Sequence, residues 1–325
     1  MKISIVIPIY KGEQYITRTL DSILSQTYSN YEVICINDSS PDRSLEILSE
    51  YALSDSRVKV YTKPNGGTAG KAVAYGLNFV SGDYMMYSSQ DDFFSSDLLE
   101  KNINKIIETG ATAIVPDMIT YSEKNSMPHE NIIGINGDRT RIIGGHEAFV
   151  LSLNWKIHGF VLWAMDTVRK VGWYDYGLNS DEYTTRMLYY YSDKVAFSDG
   201  IFYHFVGNPN AITCTWNIAQ LDYIVTTLKI EKFLIDHHFS KECMDLIKIN
   251  LANDLCRLLI LFKSSSNYSL TNERKKVLDE LRQQYKQCLS KIRSVQHIKT
   301  RLKTYNWFIM NLYTTLIVLK NRYKN

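Results

Sequence analysis

Residues 3–40 read ISIVIPIYKGEQYITRTLDSILSQTYSNYEVICINDSS, and their hydrophobic spacing changes twice. Ile3 to Ile7 is a run dominated by β-branched residues, as in a strand covered on both faces. Ile16, Leu20, Ile23 and Leu24 then stand at offsets 0, 4, 7 and 8, one face of an amphipathic helix. Glu32 to Ile36 (EVICI) returns to the strand pattern. A strand, a helix and a strand joined by short connections form a βαβ unit, and its two strands run parallel.

The alternation continues outward. Ser44 to Ala52 predicts a short helix with Leu45, Leu48 and Ala52 inward, Val58 to Tyr61 a strand, Ala69 to Val80 a helix and Tyr84 to Tyr87 a strand. Leu99, Ile103, Ile106 and Ile107 repeat the 0, 4, 7, 8 spacing. The expected class is α/β, with a mainly parallel central sheet and ligands bound beyond the carboxyl ends of its strands. Residues 111–215 are more broken, with aromatic clusters (Trp155, Trp163, Trp173, Tyr174, Tyr189 to Tyr191) and a glycine-rich stretch at 134–145. They predict strands and loops that complete a pocket. Beyond Ala219 the pattern is helical, interrupted by a polar linker at 264–272. The expected organisation is a domain over 1–215, with halves 1–110 and 111–215, and a helical region over 216–325.

Of the 325 residues, 45% are hydrophobic and 22% charged, which excludes a disordered chain or a fibre. The net charge of +3 conceals a split: residues 271–325 hold thirteen Lys/Arg and three Asp/Glu, a local +10, and the rest stands at −7. Five scattered cysteines (Cys35, Cys214, Cys243, Cys256, Cys288) form no disulfide framework and point to the reducing cytosol. The opening MKISIVIPIY is too short and too quickly ended for a signal peptide. The stretch from Tyr305 to Leu319 is interrupted by polar residues and falls short of the roughly 20 apolar residues of a membrane span. With Lys299, Arg301 and Lys303 before it, Lys320, Arg322 and Lys324 after it, and Trp307 and Tyr313 within it, it has the composition of a helix lying on an anionic leaflet. A helix packed on the domain or on a second subunit is the competing reading. No nucleic-acid module is evident.

Each strand end in the first hundred residues carries a polar cluster: Pro8 to Glu13, Asn37-Asp38-Ser39-Ser40, Pro64-Asn65-Gly66-Gly67, and Ser88-Ser89-Gln90-Asp91-Asp92. A further acidic pair, Asp181-Glu182, is followed by Arg186 and by Tyr203-His204. Pro8 to Gly12 lacks the GxGxxG that a dinucleotide-dependent oxidoreductase needs after its first strand. In their order and spacing the clusters resemble family 2 glycosyltransferases with the GT-A fold, of the type that builds bacterial cell-surface polysaccharides.

That resemblance implies an inverting transfer from a nucleotide sugar, with a UDP-linked donor expected, to a cell-envelope glycan or a lipid-linked acceptor. The enzyme would work at the inner face of the plasma membrane. Pro8, Tyr10 and Glu13 fall where the family holds the nucleotide, and Asp38 falls where a carboxylate accepts the uracil N–H. A turn and helix cap is the plainer reading of Asp38 to Asp42. Asn65, Lys71 and Gln90 join the nucleotide contacts, with Val73-Ala74 standing where the family commonly has Arg-Asn. Asp91 and Asp92 fall on the metal-binding motif for Mn²⁺ or Mg²⁺, with Ser89 in place of its first carboxylate and His204 as a further candidate ligand. The general base is Asp181 or Glu182, since the pair is reversed relative to the family, and the spacing to Asp199 favours Asp181. A protein whose metal site has decayed, binding sugar nucleotides or membranes without catalysis, is the alternative.

Overall fold

The computed structural model describes residues 1–122, 131–206, 208, 211, 216–264, 272–294, 300, 303, 304 and 306–322. The chain divides into two compact units, Met1–Tyr176 with Ser180–Asn208, and Gly177–Asn179 with Pro209–Asn325. The strands of the first are β1 (Ile3–Ile9), β2 (Tyr31–Asn37), β3 (Val58–Thr62), β4 (Tyr84–Tyr87), β5 (Phe93–Phe94), β6 (Ala113–Tyr121), β7 (Asn131–Ile132), β8 (Leu162–Ala164) and β9 (Val195–Phe205). Its helices are α1 (Ile16–Leu24), α2 (Ser44–Ser54), α3 (Ala69–Gly76), α4 (Leu98–Thr109), α5 (Gly145–Ser152), α6 (Met165–Val171) and α7 (Ser180–Tyr191). The second unit contains α8 (Asp222–Asp236), α9 (Lys241–Ser264), α10 (Asn272–Arg293) and α11 (Trp307–Arg322).

One sheet runs in the order β3-β2-β1-β4-β8-β6-β9-β5, with β7 on β6. The first four strands are parallel, as the βαβ spacing requires. β8 then pairs antiparallel with both β4 and β6, while β6 and β9 are again parallel. Every residue of β1 and β2 is buried, so continuous apolar runs are what both strands need. α1 covers them with Ile16, Leu20 and Ile23. Leu45 and Ile107, which spacing placed inward, are 39% and 69% exposed; their neighbours Ser44 and Ile106 take the buried positions. α3 stops at Gly76 and continues as a 3₁₀ turn over Leu77–Phe79.

Pro8 does not end its strand. The Val6 carbonyl accepts from Ser88 N and the Ile9 carbonyl from Asp38 N. Alternate residues of a parallel strand face alternate neighbours, so Pro8 faces the β4 side, where β4 has already ended at Tyr87. Its missing N–H therefore costs no ladder bond.

A buried carboxylate ties the parallel strands together. Glu32 accepts from Ser4 Oγ at 2.6 Å, Lys2 Nζ at 2.8 Å, Lys59 Nζ at 2.6 Å, and Ser81 N and Oγ at 2.9 and 2.8 Å. Burial pushes its carboxyl up, but the bonds from Lys2, Lys59, Ser4 and Ser81 outweigh burial and hold it well below the carboxylate range.

In the second unit, Ile224, Leu251, Leu255, Leu259, Leu281, Tyr285 and Met310 form a separate core. Glu231 of α8 is ion-paired with Lys291 of α10. Lys263, 5% exposed, donates to Asn311 O at 2.6 Å, Thr314 Oγ1 at 2.6 Å and Thr315 Oγ1 at 2.9 Å, which fixes α11 to α9. Among the described residues, Cys35, Cys243, Cys256 and Cys288 are buried free thiols, and no helix is long and apolar enough to cross a membrane. Cys214, Lys299, Arg301 and Lys324 lie outside the described residues.

Candidate functional site

The carboxyl ends of β1, β2 and β4 lie side by side, so the first, second and fourth clusters meet at one edge. Gln90 fastens two of them: its Oε1 accepts from Tyr10 N at 2.9 Å and its Nε2 donates to Tyr10 O at 3.0 Å. A Cβ at position 12 would lie 2.7 Å from that Oε1, so Gly12 makes the clamp possible. Gln90 thus positions backbone, and the Tyr10 ring, 42% exposed, is what the clamp presents. Asp38, 5% exposed, accepts from Lys63 Nζ at 2.6 Å and from Gly66 N at 2.9 Å. An ionised carboxylate has about four acceptor positions, so it keeps capacity for a ligand N–H. Glu13 is committed elsewhere, accepting from Arg43 N at 3.0 Å at the start of α2. Asn65 Oδ1 accepts from Gly67 N at 2.7 Å and sets the turn in which Gly67 adopts φ +79°. Lys71 follows in the first turn of α3 with an exposed side chain, its amide capped by Thr68 Oγ1 at 3.3 Å.

Beyond β4 the acidic pair turns inward. Asp92 is fully buried; its Oδ1 accepts from Phe205 N at 2.9 Å and bonds His204 Nδ1 at 3.0 Å, while its Oδ2 has no hydrogen-bond partner among the described residues. Asp91 Oδ2 accepts from Asn208 Nδ2 at 3.0 Å. Burial and the neighbouring Asp92 charge both push the Asp91 carboxyl up. For His204, burial pulls the ring down, but the charge and bond of Asp92 outweigh it, so the imidazole holds its proton above the usual histidine range. Ser89 Oγ lies 3.5 Å from the Tyr87 hydroxyl. Arg18 secures the turn, donating to Asp91 O at 2.9 Å beneath the rings of Phe93 and Phe205. Among the described residues no three His, Cys, Asp or Glu side chains converge as a complete protein cage for a metal would.

Asp181 and Glu182 occupy the first turn of α7, where backbone amides favour negative charge. They are not equivalent. Glu182 is ion-paired with Arg186, one turn on, whose side chain is 8% exposed and whose guanidinium also donates to Ser152 O at 3.3 Å. Asp181 has no such cation bonded to it, and burial, followed by the Glu182 charge, pushes its carboxyl up to about 7. Both line a cleft with Tyr87, Trp155, His158 and Phe160. The buried Tyr87 hydroxyl is pushed up by burial and by Asp181, Asp92 and Asp91, which brings both acidic motifs within electrostatic reach of one group. His158 is structural: its Nε2 lies 2.7 Å from Pro116 O, Phe160 N donates to its Nδ1 at 3.1 Å, and burial draws it down to about 4.

Of the three tryptophans between residues 111 and 215, Trp163 is 1% exposed and Trp173 9%, both core. Trp155 is 46% exposed at the cleft, with φ +59°, a region that non-glycine residues seldom adopt. α3 and α7 meet at Gly70, where an added Cβ would stand 2.0 Å from Ser180 Oγ. Sequence reasoning missed Lys63, Asn208 and Arg18, none of which carries a local pattern; only the fold brings them to the carboxylates. Trp155 was visible, but its exposure was not.

Residues 4–164 match the model named Glycosyl transferase family 2. The chain is 35% identical over 133 residues to Glycosyltransferase GlyA of Streptococcus pneumoniae serotype 4 (strain ATCC BAA-334 / TIGR4), covering 41% of this chain and 19% of that protein. It is 37% identical over 103 residues to the Minor teichoic acid biosynthesis protein GgaB of Bacillus subtilis (strain 168), covering 31% and 11%. The chain thus spans less than a fifth of the length of either of these relatives. Among solved structures, S. aureus TarS 1–349 in complex with UDP-GlcNAc superposes with a TM-score of 0.69 at 17% identity, over 100% of this chain and 93% of that one. Mannosyltransferase PcManGT from Pyrobaculum calidifontis, in complex with GDP-Man and Mn²⁺, gives 0.51 at 12% identity, over 99% and 87%. These likenesses show the GT-A-like α/β fold. Asp181 and His204 lie outside the matched stretch, whereas Asp38, Asp91 and Asp92 lie within it. Residues 4–164, which carry the strand-end clusters on this fold, form a glycosyl transferase family 2 domain.

Proposed function

We propose that the protein is an inverting glycosyltransferase that moves a sugar from a UDP-linked donor to a hydroxyl of a cell-envelope glycan or lipid-linked acceptor, at the inner face of the plasma membrane. The observation that carries the reading is the division of labour in the acidic pair: Arg186 occupies Glu182, while Asp181 is left in the cleft with its carboxyl near 7. A base so placed is about half ionised at neutral pH and basic enough to take the acceptor's proton as the oxygen attacks the anomeric carbon. The UDP-GlcNAc complex of TarS supports the donor class, and the name of GgaB supports a cell-wall polymer as the product class.

Tyr10, Pro8 and Asp38 would hold the base and ribose, and the glycine turn at 66–67 would face the diphosphate with Lys71 beside it. The acidic turn fits a divalent cation, Mn²⁺ or Mg²⁺. Asp92 Oδ2 is a buried oxygen without a partner, and Asp91 is a carboxyl under like-charge repulsion. Asp91 and Asp92 would hold the ion, with His204 bonded to Asp92 behind them and the diphosphate supplying further oxygens, the usual arrangement for Mg²⁺. The ion would neutralise charge on the leaving diphosphate. Mn²⁺ in the PcManGT complex supports the same cofactor class.

Donor binding is tested by thermal shift. At a hundredfold excess of UDP-sugar over Kd the fold should gain about 2.7 kcal/mol. Asp91→Asn should remove the Mn²⁺-dependent part of that shift while raising stability without ligand, because it relieves repulsion with Asp92. A donor shift in Asp91→Asn equal to that of the wild type, with Mn²⁺ present, would sink the metal assignment.

Trp155 is the proposed acceptor platform, an aromatic face held in strain beside the base. Trp155→Ala should raise the acceptor KM about tenfold with little change in donor KM, a loss of about 1.4 kcal/mol of acceptor contact. Equal changes in both constants would assign the residue to folding instead.

A further inference from the structure

α11 is anchored on one side and bare on the other. Met310, Thr314 and Val318 are buried, and Lys263 holds the helix from within. On the opposite side Phe308, Leu312 and Leu316, spaced by four, are 73%, 50% and 57% exposed, with Ile309 and Tyr313 beside them. A folded protein seldom leaves such an apolar row in water, and rows of this kind mark interaction surfaces.

A cleft of about 280 Å³ opens next to this row, lined by Arg257 and Lys303 together with Ile260, Leu261, Tyr313 and Ile317. Among the described residues no acidic side chain lines it. Lys303 Nζ is bonded, among the described residues, to a neutral partner, Asn253 Oδ1 at 2.7 Å. The Arg257 guanidinium stacks on Tyr223 at 3.9 Å and reaches Gln220 Oε1 at 3.4 Å through Nη1. Its Nη2 is buried and has no hydrogen-bond partner among the described residues. A guanidinium nitrogen in that state lacks an acceptor, and an anionic oxygen is the acceptor that arginine geometry suits best.

We propose that this face of α9 and α11 binds anionic phospholipid at a bilayer surface, with a headgroup phosphate at Arg257 and Lys303 and the Phe308–Leu312–Leu316 row in the acyl boundary. The proposal deepens the membrane-surface part of the reading above and does not depend on the transfer reaction. Charge selects lipid over a second copy of the chain: residues 271–325 carry +10, so a second copy would bring the same charge against the first, whereas an anionic leaflet neutralises it.

The test is flotation of the full chain with vesicles of three parts phosphatidylcholine to one part phosphatidylglycerol, against phosphatidylcholine alone. The wild type should float with the anionic vesicles only. Leu312→Ser/Leu316→Ser removes exposed side chains, so the fold should stand, and binding should fall at least about tenfold. Lys303→Gln should weaken it about fivefold. Asp181→Asn should float like the wild type, which separates failure here from failure of the catalytic reading. Unchanged flotation of the leucine variant would overturn the proposal, as would no preference for anionic vesicles. A dimer in sedimentation that the same two substitutions dissociate would overturn it in favour of a second copy.

Discussion

Replacing Asp181 with Asn is expected to slow sugar transfer about a thousandfold while leaving the donor-induced thermal shift intact. The amide keeps the shape of the side chain but cannot take a proton, and general-base catalysis contributes about 10²–10⁴-fold. The wild-type rate should rise with pH and level off above about 7, where burial and Glu182 place the Asp181 carboxyl. The variant should lose that limb of the profile. Stability should move the other way. Because the folded carboxyl is raised from 3.8, its neutral form favours the fold; that contribution is complete below 3.8 and is lost as pH rises to about 7. Asparagine stays neutral throughout, so the variant should melt higher than the wild type at pH 8, by on the order of 2 kcal/mol, and the gap should narrow toward pH 5. Glu182→Gln offers the contrast. It strips Arg186 of its ion pair and should cost stability first. A larger catalytic loss in Glu182→Gln than in Asp181→Asn, with both folded, would reverse the assignment of the base.

The largest expected effect on folding lies at Glu32. Glu32→Gln removes the charge that Lys2 and Lys59 share and leaves Ser4 and Ser81 around a poorer acceptor. Breaking a buried pair costs about 3–5 kcal/mol, but both lysines are over a third exposed and recover hydration, so about 3 kcal/mol is expected. The carboxyl is depressed in the folded state, so its contribution is present above the ordinary glutamate range and fades as pH falls through the folded value. Urea denaturation at pH 7 should show the full difference, and the two proteins should converge in strong acid. A loss below about 0.5 kcal/mol at pH 7 would show that the network is surface decoration.

The parallel half of the sheet was legible because its strands are buried on both faces and its helices carry a clean 3.6-residue spacing; β1, α1 and β2 follow from residues 3–40 alone. The antiparallel insertion of β8 was not, since a strand of three residues, Leu162–Ala164, has no period to read. The same limit governs the site. Asp38, Asp91 and Asp181 lie at strand and helix ends that the pattern locates. The i,i+4 spacing of Glu182 and Arg186 already predicts their ion pair; local spacing could not say that Asp181 stands in the cleft with its carboxyl pushed up by burial. Glu13 and Gln90 show the reverse: polar residues beside the pocket whose hydrogen bonds are spent on α2 and on the Tyr10 backbone.

Gly70 has a consequence for how sequences of this kind can drift. With a gap too small for one methyl group between α3 and Ser180, the distance from α3 to the helix carrying Asp181 is gauged by bare backbone on one side. Side chains around the cleft can be exchanged to suit new sugars, and acceptor preference can wander with them. Position 70 sets a spacing all those variants must inherit, so enlarging it would alter the reach of the base before it altered any contact with substrate.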